Sequence, residues 1–235
     1  MNNLIEKIKK ELSENADEKI RDGAKRYFKE PIKVYGMKNA VAEGIAKKYW
    51  PEVKGLSKQE VFALSEELFS SGYMEEAFVS CVWLPKMAKQ FEPEDLKVFE
   101  KWIDKYIDNW AKCDTFCNHT VGDFIMKFPK KVGVLKKWAK SKNRWMKRAA
   151  AVTLIVPARK GLFLDDIFEI ADTLLLDSDD LVQKGYGWML KAASQAHQEE
   201  ILQFVIERKD RMPRTALRYA IEKMSPALRK KAMGK

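Results

Sequence analysis

Trp110 and Asp114 are four residues apart, so in a helix they share one face, with the carboxylate one turn from the indole. Taken alone, W-x-x-x-D is equally a core tryptophan followed by an exposed or capping aspartate. Its surroundings say more. Phe124 to Leu164 contains no Asp or Glu in 41 residues but twelve basic ones: Lys127, Lys130, Lys131, Lys136, Lys137, Lys140, Lys142, Arg144, Lys147, Arg148, Arg159 and Lys160. In a chain that is 33% charged, such a run suggests a surface facing a polyanion. A carboxylate just ahead of it stands where anions are normally excluded.

Two further residues invite a functional reading. Arg148, in R-W-M-K-R-A-A, is followed by two alanines that permit close approach of a partner, although a solvated helix arginine is the plainer alternative. Trp188 follows Gly185 and Gly187 in K-G-Y-G-W-M-L-K. Each glycine inside a helix costs about 1 kcal/mol relative to alanine, a cost that a closely approaching neighbour offsets. Core packing of Trp188 is the competing reading. Trp83, Trp102 and Trp138 read as core tryptophans. Cys113, Cys117 and His119 lack a fourth ligand at metal-site spacing, so no metal is expected. Phosphate-binding loops, dinucleotide fingerprints and nucleophile elbows are missing, which argues against phosphoryl transfer, nicotinamide chemistry and esterase action.

The elements that must position these residues are helical. At 235 residues and 46% hydrophobic content the chain can bury a core, and its periodicity is that of helices throughout. Pro31, Gly36, Pro51, Gly55, Gly72, Pro93, Pro129, Gly161, Pro213 and Pro226 punctuate it at helix-hairpin intervals. Ser57 with Glu60, and Asn15 with Glu18, have capping-box spacing, and Ser225-Pro226 reads as an N-cap and first helical residue. Trp145-Met-Lys-Arg-Ala-Ala150 recurs as Trp188-Met-Leu-Lys-Ala-Ala193, 43 residues on, and Trp110 stands 35 before Trp145. Periods near 40 residues mark HEAT or armadillo helix pairs, whose inner helices line a concave surface. Trp110, Arg148 and Trp188 then come from successive repeats.

The formal charge of +10 is segregated: +12 lies in the acid-free block and +8 in residues 208–235. This favours a nucleic acid or an anionic membrane as partner. The N-terminus lacks a signal-like apolar run, no stretch is long enough to span a bilayer, and three cysteines suggest a reducing compartment, so a cytoplasmic protein is expected, and a solenoid of this size is expected to be a monomer. With no flexible linker, the whole of 1–235 is expected to form one domain, and the basic segment of about 213–235 a helical cap or frayed end.

The motifs N-W-A-K-C-D-T-F (109–116), V-G-D-F (121–124), R-W-M-K-R-A-A (144–150) and Q-K-G-Y-G-W-M-L-K (183–191) resemble those of the AlkD-type DNA alkylation repair glycosylases, over nearly the whole chain. The resemblance implies an all-α, right-handed superhelical solenoid of HEAT-like helix pairs with a concave basic surface for DNA. It implies removal of cationic N3- and N7-alkylpurines from duplex DNA by hydrolysis of the N-glycosidic bond, without a cofactor, as a step of base excision repair. By resemblance Asp114 stabilises the oxocarbenium ion and positions water, Trp110 and Trp188 contact the sugar, and Arg148 contacts the backbone. Lys191 replaces an arginine of the family, which keeps the charge but loses the bidentate fork. Lys147, Arg144 and Tyr27 complete the expected DNA contacts. Y-M-E-E-A-F (73–78) departs from the family by its acidity. The alternatives are a non-catalytic HEAT-like DNA-binding or damage-recognition protein, and a protein-interaction scaffold whose lysines only solvate one face.

Overall fold

In the computed structural model, which describes residues 2–234, the regular structure of the described residues is helical apart from one isolated parallel bridge between Lys33 and Tyr73. The all-α expectation is met. The chain divides into two compact units, Met1–Phe116 and Cys117–Lys235.

The first unit holds α1 (Asn2–Glu14), α2 (Glu18–Tyr27), α3 (Asn39–Val53), α4 (Lys58–Ser70), α5 (Met74–Trp83), α6 (Asp95–Tyr106) and α7 (Trp110–Thr115). α5 is the hub, packed on α3, α4 and α7, while α6 lies on α4 and α1 on α3. Aromatic side chains fill the core. Phe69, Trp83, Phe99, Trp102 and Phe116 are at most 1% exposed, and the Trp83 indole nitrogen donates to the Ala46 carbonyl at 2.8 Å. Each such ring stabilises the fold by about 1.5–3 kcal/mol. Ser57 and Glu60 form the expected capping box of α4. The Asn15–Glu18 expectation is corrected: Asp17 caps α2, accepting from the Ile20 amide at 3.0 Å, while the Asn15 side chain turns back to the Glu11 carbonyl. α1 runs as far as Glu14, so Asn15 falls at a C-terminus, and the extended backbone that an N-cap needs occurs at Asp17. Pro51 lies inside α3, in its last turn, and the helix ends two residues later.

A π-helical turn, Phe116–Val121, leads from α7 to α8 (Gly122–Lys127), α9 (Gly133–Trp138), α10 (Arg144–Val152), α11 (Ile155–Arg159), α12 (Leu164–Leu174), α13 (Asp180–Ala193), α14 (Gln198–Arg208), α15 (Arg214–Ala220) and α16 (Pro226–Met233). The basic C-terminal segment is therefore two helices, the second capped by Ser225. α13 is the centre of this unit, packed on α10, α11, α12, α14 and α15. Its glycines explain how. A Cβ on Gly187 would meet Tyr219 Cβ at 2.7 Å and the Ala216 carbonyl oxygen at 2.8 Å, so α15 lies directly on the backbone of α13.

Capping sets the register of the repeats. Asn109, Asn143 and Asp179 each accept from an amide in the first turn of α7, α10 and α13. These caps are 34 and 36 residues apart, not 43. Trp145 is the second residue of α10 whereas Trp188 is the ninth of α13, and the seven-residue offset, close to two turns, keeps the echoed motif on one helix face. Counted from the caps, Asp114, Arg148 and Lys184 are the equivalent positions, each five residues on. Among the described residues no helix is long and apolar enough to cross a membrane.

Candidate functional site

α7 begins at Trp110, whose preceding residue Asn109 takes the Lys112 amide at 3.0 Å and is held through its own side-chain nitrogen by Asp108 at 2.7 Å. Asp114 follows one turn later on the same helix and is only 8% exposed. Trp110 is half-buried. Phe28 stacks on it with centroids 5.1 Å apart and planes 12° apart, and Tyr27 meets it edge-on at 6.1 Å. Tyr27 itself is 73% exposed. These rings, with Met37, Met74 and Phe78, line a hollow of about 320 Å³. Tyr27, Trp110 and Asp114 are thus brought to one part of the first unit, with one indole face of Trp110 covered by Phe28.

Two features of this unit were not anticipated. Phe28 had a signal in the aromatic pair Tyr27-Phe28, but nothing local marks it as the partner of Trp110. Lys112 is fully buried, its ammonium donating to the Gly72 carbonyl at 2.8 Å and to Asp108 at 3.0 Å. The acidity of residues 73–78 has an internal use. Glu75 and Glu76 are 3% and 1% exposed; Glu75 accepts from the amides of Tyr35 and Gly36, and Glu76 from the Tyr35 hydroxyl at 2.7 Å. Burial, reinforced by the bond to Glu76, raises the Tyr35 phenol far above its ordinary range, so it stays a donor.

In the second unit Arg148 is 5% exposed, and its guanidinium donates to the Leu181 carbonyl in the first turn of α13. It lies along Gly185, where a Cβ would stand at ordinary contact, 3.4 Å from Arg148 Cγ. Trp188 lies half-buried one turn farther along α13. The close approach expected of the two glycines is found at Gly187, whereas a Cβ at Gly185 would make only ordinary contacts.

Several of the basic residues singled out from the sequence have acidic partners in this unit. Arg144 pairs with Asp179 and lies 5.0 Å over the Trp145 ring; Lys147 pairs with Asp177, Lys136 with Asp166 and Glu169, and Lys191 with Glu222 at 2.9 Å. Apart from Glu222, these acids come from residues 165–180, which contain seven Asp or Glu and no Lys or Arg. This stretch offsets part of the field that the basic block creates. With side chains 13–55% exposed, these pairs are partly shielded from solvent. Lys130, Lys137, Lys140, Lys142 and Arg159 are exposed.

No curated protein matches the chain. Among solved structures it is similar to one described as a predicted DNA alkylation repair enzyme from Enterococcus faecalis, with 14% identity and a TM-score of 0.80, covering 90% of this chain and 98% of that one. At that identity the likeness concerns the fold. The family described as DNA alkylation repair enzyme matches residues 8–224, with the Trp110–Asp114 turn, Arg148 and Trp188 all inside the match. The chain belongs to the DNA alkylation repair enzyme family.

Proposed function

We propose that the protein is a monofunctional DNA glycosylase that releases cationic N3- and N7-alkylpurines from duplex DNA and leaves an abasic site for base excision repair. The observation that carries this reading is Asp114, a carboxylate held 8% exposed on α7 one turn from Trp110, in a chain of the alkylation repair family. The alkylated purine is already a cation. When its bond to C1′ breaks, the electron pair returns to the ring and a neutral base leaves, so no general acid is needed and one carboxylate suffices where glycoside hydrolysis commonly uses two.

Positive charge then builds on the deoxyribose. A carboxylate about 4 Å from a unit charge, at an effective dielectric of about 20, contributes about 4 kcal/mol, a factor of roughly 10³ in rate. Asp114 supplies this and orients the water whose oxygen bonds to C1′ as one of its protons is released to solvent. Trp110 and Trp188 pack on the sugar, where the negative face of an indole favours developing positive charge. With Phe28 behind it, Trp110 offers its other face. Arg148, Arg144, Lys147, Lys191 and Tyr27 hold the duplex through its backbone, a sequence-independent and salt-sensitive contact.

The test is incubation of the purified protein with N-methylated duplex DNA and measurement of free 7-methylguanine and 3-methyladenine. Asp114→Asn is expected to slow release by about 10²–10³ while leaving duplex affinity nearly unchanged. An unchanged rate removes Asp114 from the mechanism, and wild-type binding without release leaves the non-catalytic DNA-binding alternative.

A further inference from the structure

The turn before α5 and the first turn of that helix bond to both sides of the Trp110 shelf. On one side, the fully buried Lys112 of α7 donates to the Gly72 carbonyl at 2.8 Å, two residues after the tryptophan and within its first helical turn. On the other, Glu75 spreads its two oxygens over successive backbone amides, Tyr35 at 3.1 Å and Gly36 at 2.9 Å, while the Met74 amide donates to the Lys33 carbonyl at 2.9 Å. Tyr35 adds a hydroxyl bond to Glu76 and stacks on Tyr73 with centroids 4.1 Å apart.

Gly36 passes this constraint to α2. Its carbonyl accepts from the amide of Asp17, the residue that caps α2, at 2.6 Å. Its φ of 89° and the absence of a side chain are both required, because a Cβ would lie 2.5 Å from the Asp17 carbonyl oxygen and from Arg21 Cβ. α2 is ten residues long, and Tyr27 and Phe28 stand at its other end, against Trp110. Five consecutive residues, Gly72 to Glu76, therefore hold both the helix that carries Trp110 and the helix that carries the ring stacked on it.

We infer that Glu75 is a positioning residue for Trp110: by gripping the 35–36 amides it sets α2, and with it Phe28, at the height where the indole is held for the sugar. A carboxylate suits the task because it accepts two parallel N–H bonds at once. An amide in its place presents a donor to one of those amides. Glu75 does not touch substrate in this arrangement and acts through Phe28. The inference rests on the proposed role of Trp110, and its test separates the two.

The experiment is a double-mutant cycle in single-turnover base release, with 5-fluorotryptophan ¹⁹F NMR on the same full-length proteins. Glu75→Gln is expected to slow release about tenfold, the scale of a small misplacement of a reacting group, with little change in undamaged-duplex affinity. In a Trp110→Ala background the same substitution is expected to have almost no effect, since the residue it acts on is gone. The chain has seven tryptophans, and the resonance of Trp110, assigned by its loss in Trp110→Phe, is expected to shift in Glu75→Gln while those of the buried Trp83 and Trp102 stay in place.

An equal rate loss in both backgrounds, or a stationary Trp110 resonance, overturns the inference and reduces Glu75 to a stabiliser of the fold. If Glu75→Gln loses its helical circular dichroism, Glu75→Asp, which keeps the carboxylate but shortens its reach to the 35–36 amides, is read by the same two criteria. A wild-type protein that releases no alkylpurine sinks the proposed function instead. The NMR arm then still decides whether Glu75 positions Trp110.

Discussion

Arg148 lies along the bare backbone of Gly185: a Cβ there would stand 3.4 Å from Cγ and 3.6 Å from Nη1 of the arginine. Both are ordinary contact distances, and the guanidinium reaches on to the Leu181 carbonyl. Two residues on, Gly187 faces a harder neighbour, the Ala216 carbonyl oxygen at 2.8 Å and Tyr219 Cβ at 2.7 Å. The two glycines therefore answer alanine with opposite sign. Gly185→Ala makes ordinary contacts and gains helix propensity, up to about 1 kcal/mol, so its melting temperature is expected to rise by a few degrees. Gly187→Ala forces backbone apart at a cost of about 1–3 kcal/mol and is expected to melt lower. Thermal denaturation of both decides it; a rise for Gly187→Ala contradicts the packing described.

Arg148 has two tasks to separate. Arg148→Met keeps much of the stem but removes the bond to Leu181, and is expected to cost about 1.5–3 kcal/mol in stability. If the guanidinium also meets a phosphate, the slope of log affinity for duplex against log salt falls by about one unit. Urea melts and salt titrations measure these independently. A stability loss with an unchanged slope restricts Arg148 to holding α10 on α13.

Lys191 is 16% exposed and paired with Glu222, which is 50% exposed. Glu222→Gln removes a negative charge beside a cation proposed to meet DNA. Duplex binding is expected to tighten by up to about fivefold, the equivalent of at most about 1 kcal/mol for such a pair. Fluorescence anisotropy at two salt concentrations reads the change, and it is expected to shrink at the higher one. No tightening at low salt excludes Lys191 from the DNA contact.

Asp123 titrates above the ordinary carboxylate range because burial disfavours its charge, a shift that His119 and Lys160 only partly oppose. A carboxyl whose folded value is raised favours the fold when protonated. That contribution is complete below the unfolded value, near 4, and is lost as pH rises through the folded one. Asp123→Asn is accordingly expected to stabilise the protein at pH 7, with the gain disappearing as pH approaches 3. Melting temperatures across this range test the sign; a variant equally stabilised at both pH values contradicts it.

Much of this molecule is written in short-range chemistry. The Ser57–Glu60 capping box, the Ser225-Pro226 helix start and the core status of Trp83, Trp102 and Trp138 depend on hydrogen bonds and apolar spacing within a turn or two, and residue order is enough to read them. The same holds for the all-α class and for Gly187, whose helix cost announces a close neighbour. Register was less accessible. The tryptophan echo repeats at 43 residues while the caps of α10 and α13 repeat at 36, because a seven-residue slide preserves a helix face and leaves the sequence match intact.

Packing decided the rest, through contacts that residue order does not encode. Phe28 meets Trp110 across more than eighty residues, Glu75 and Glu76 turn inward to partners about forty residues back, and Lys147 finds Asp177 thirty residues ahead. A run of lysines shows where positive charge enters the chain. How much of it remains to face a polyanion depends on which helix faces meet, because charge is neutralised by neighbours in space and only the folded packing of α9, α10, α12 and α13 brings those acids within reach.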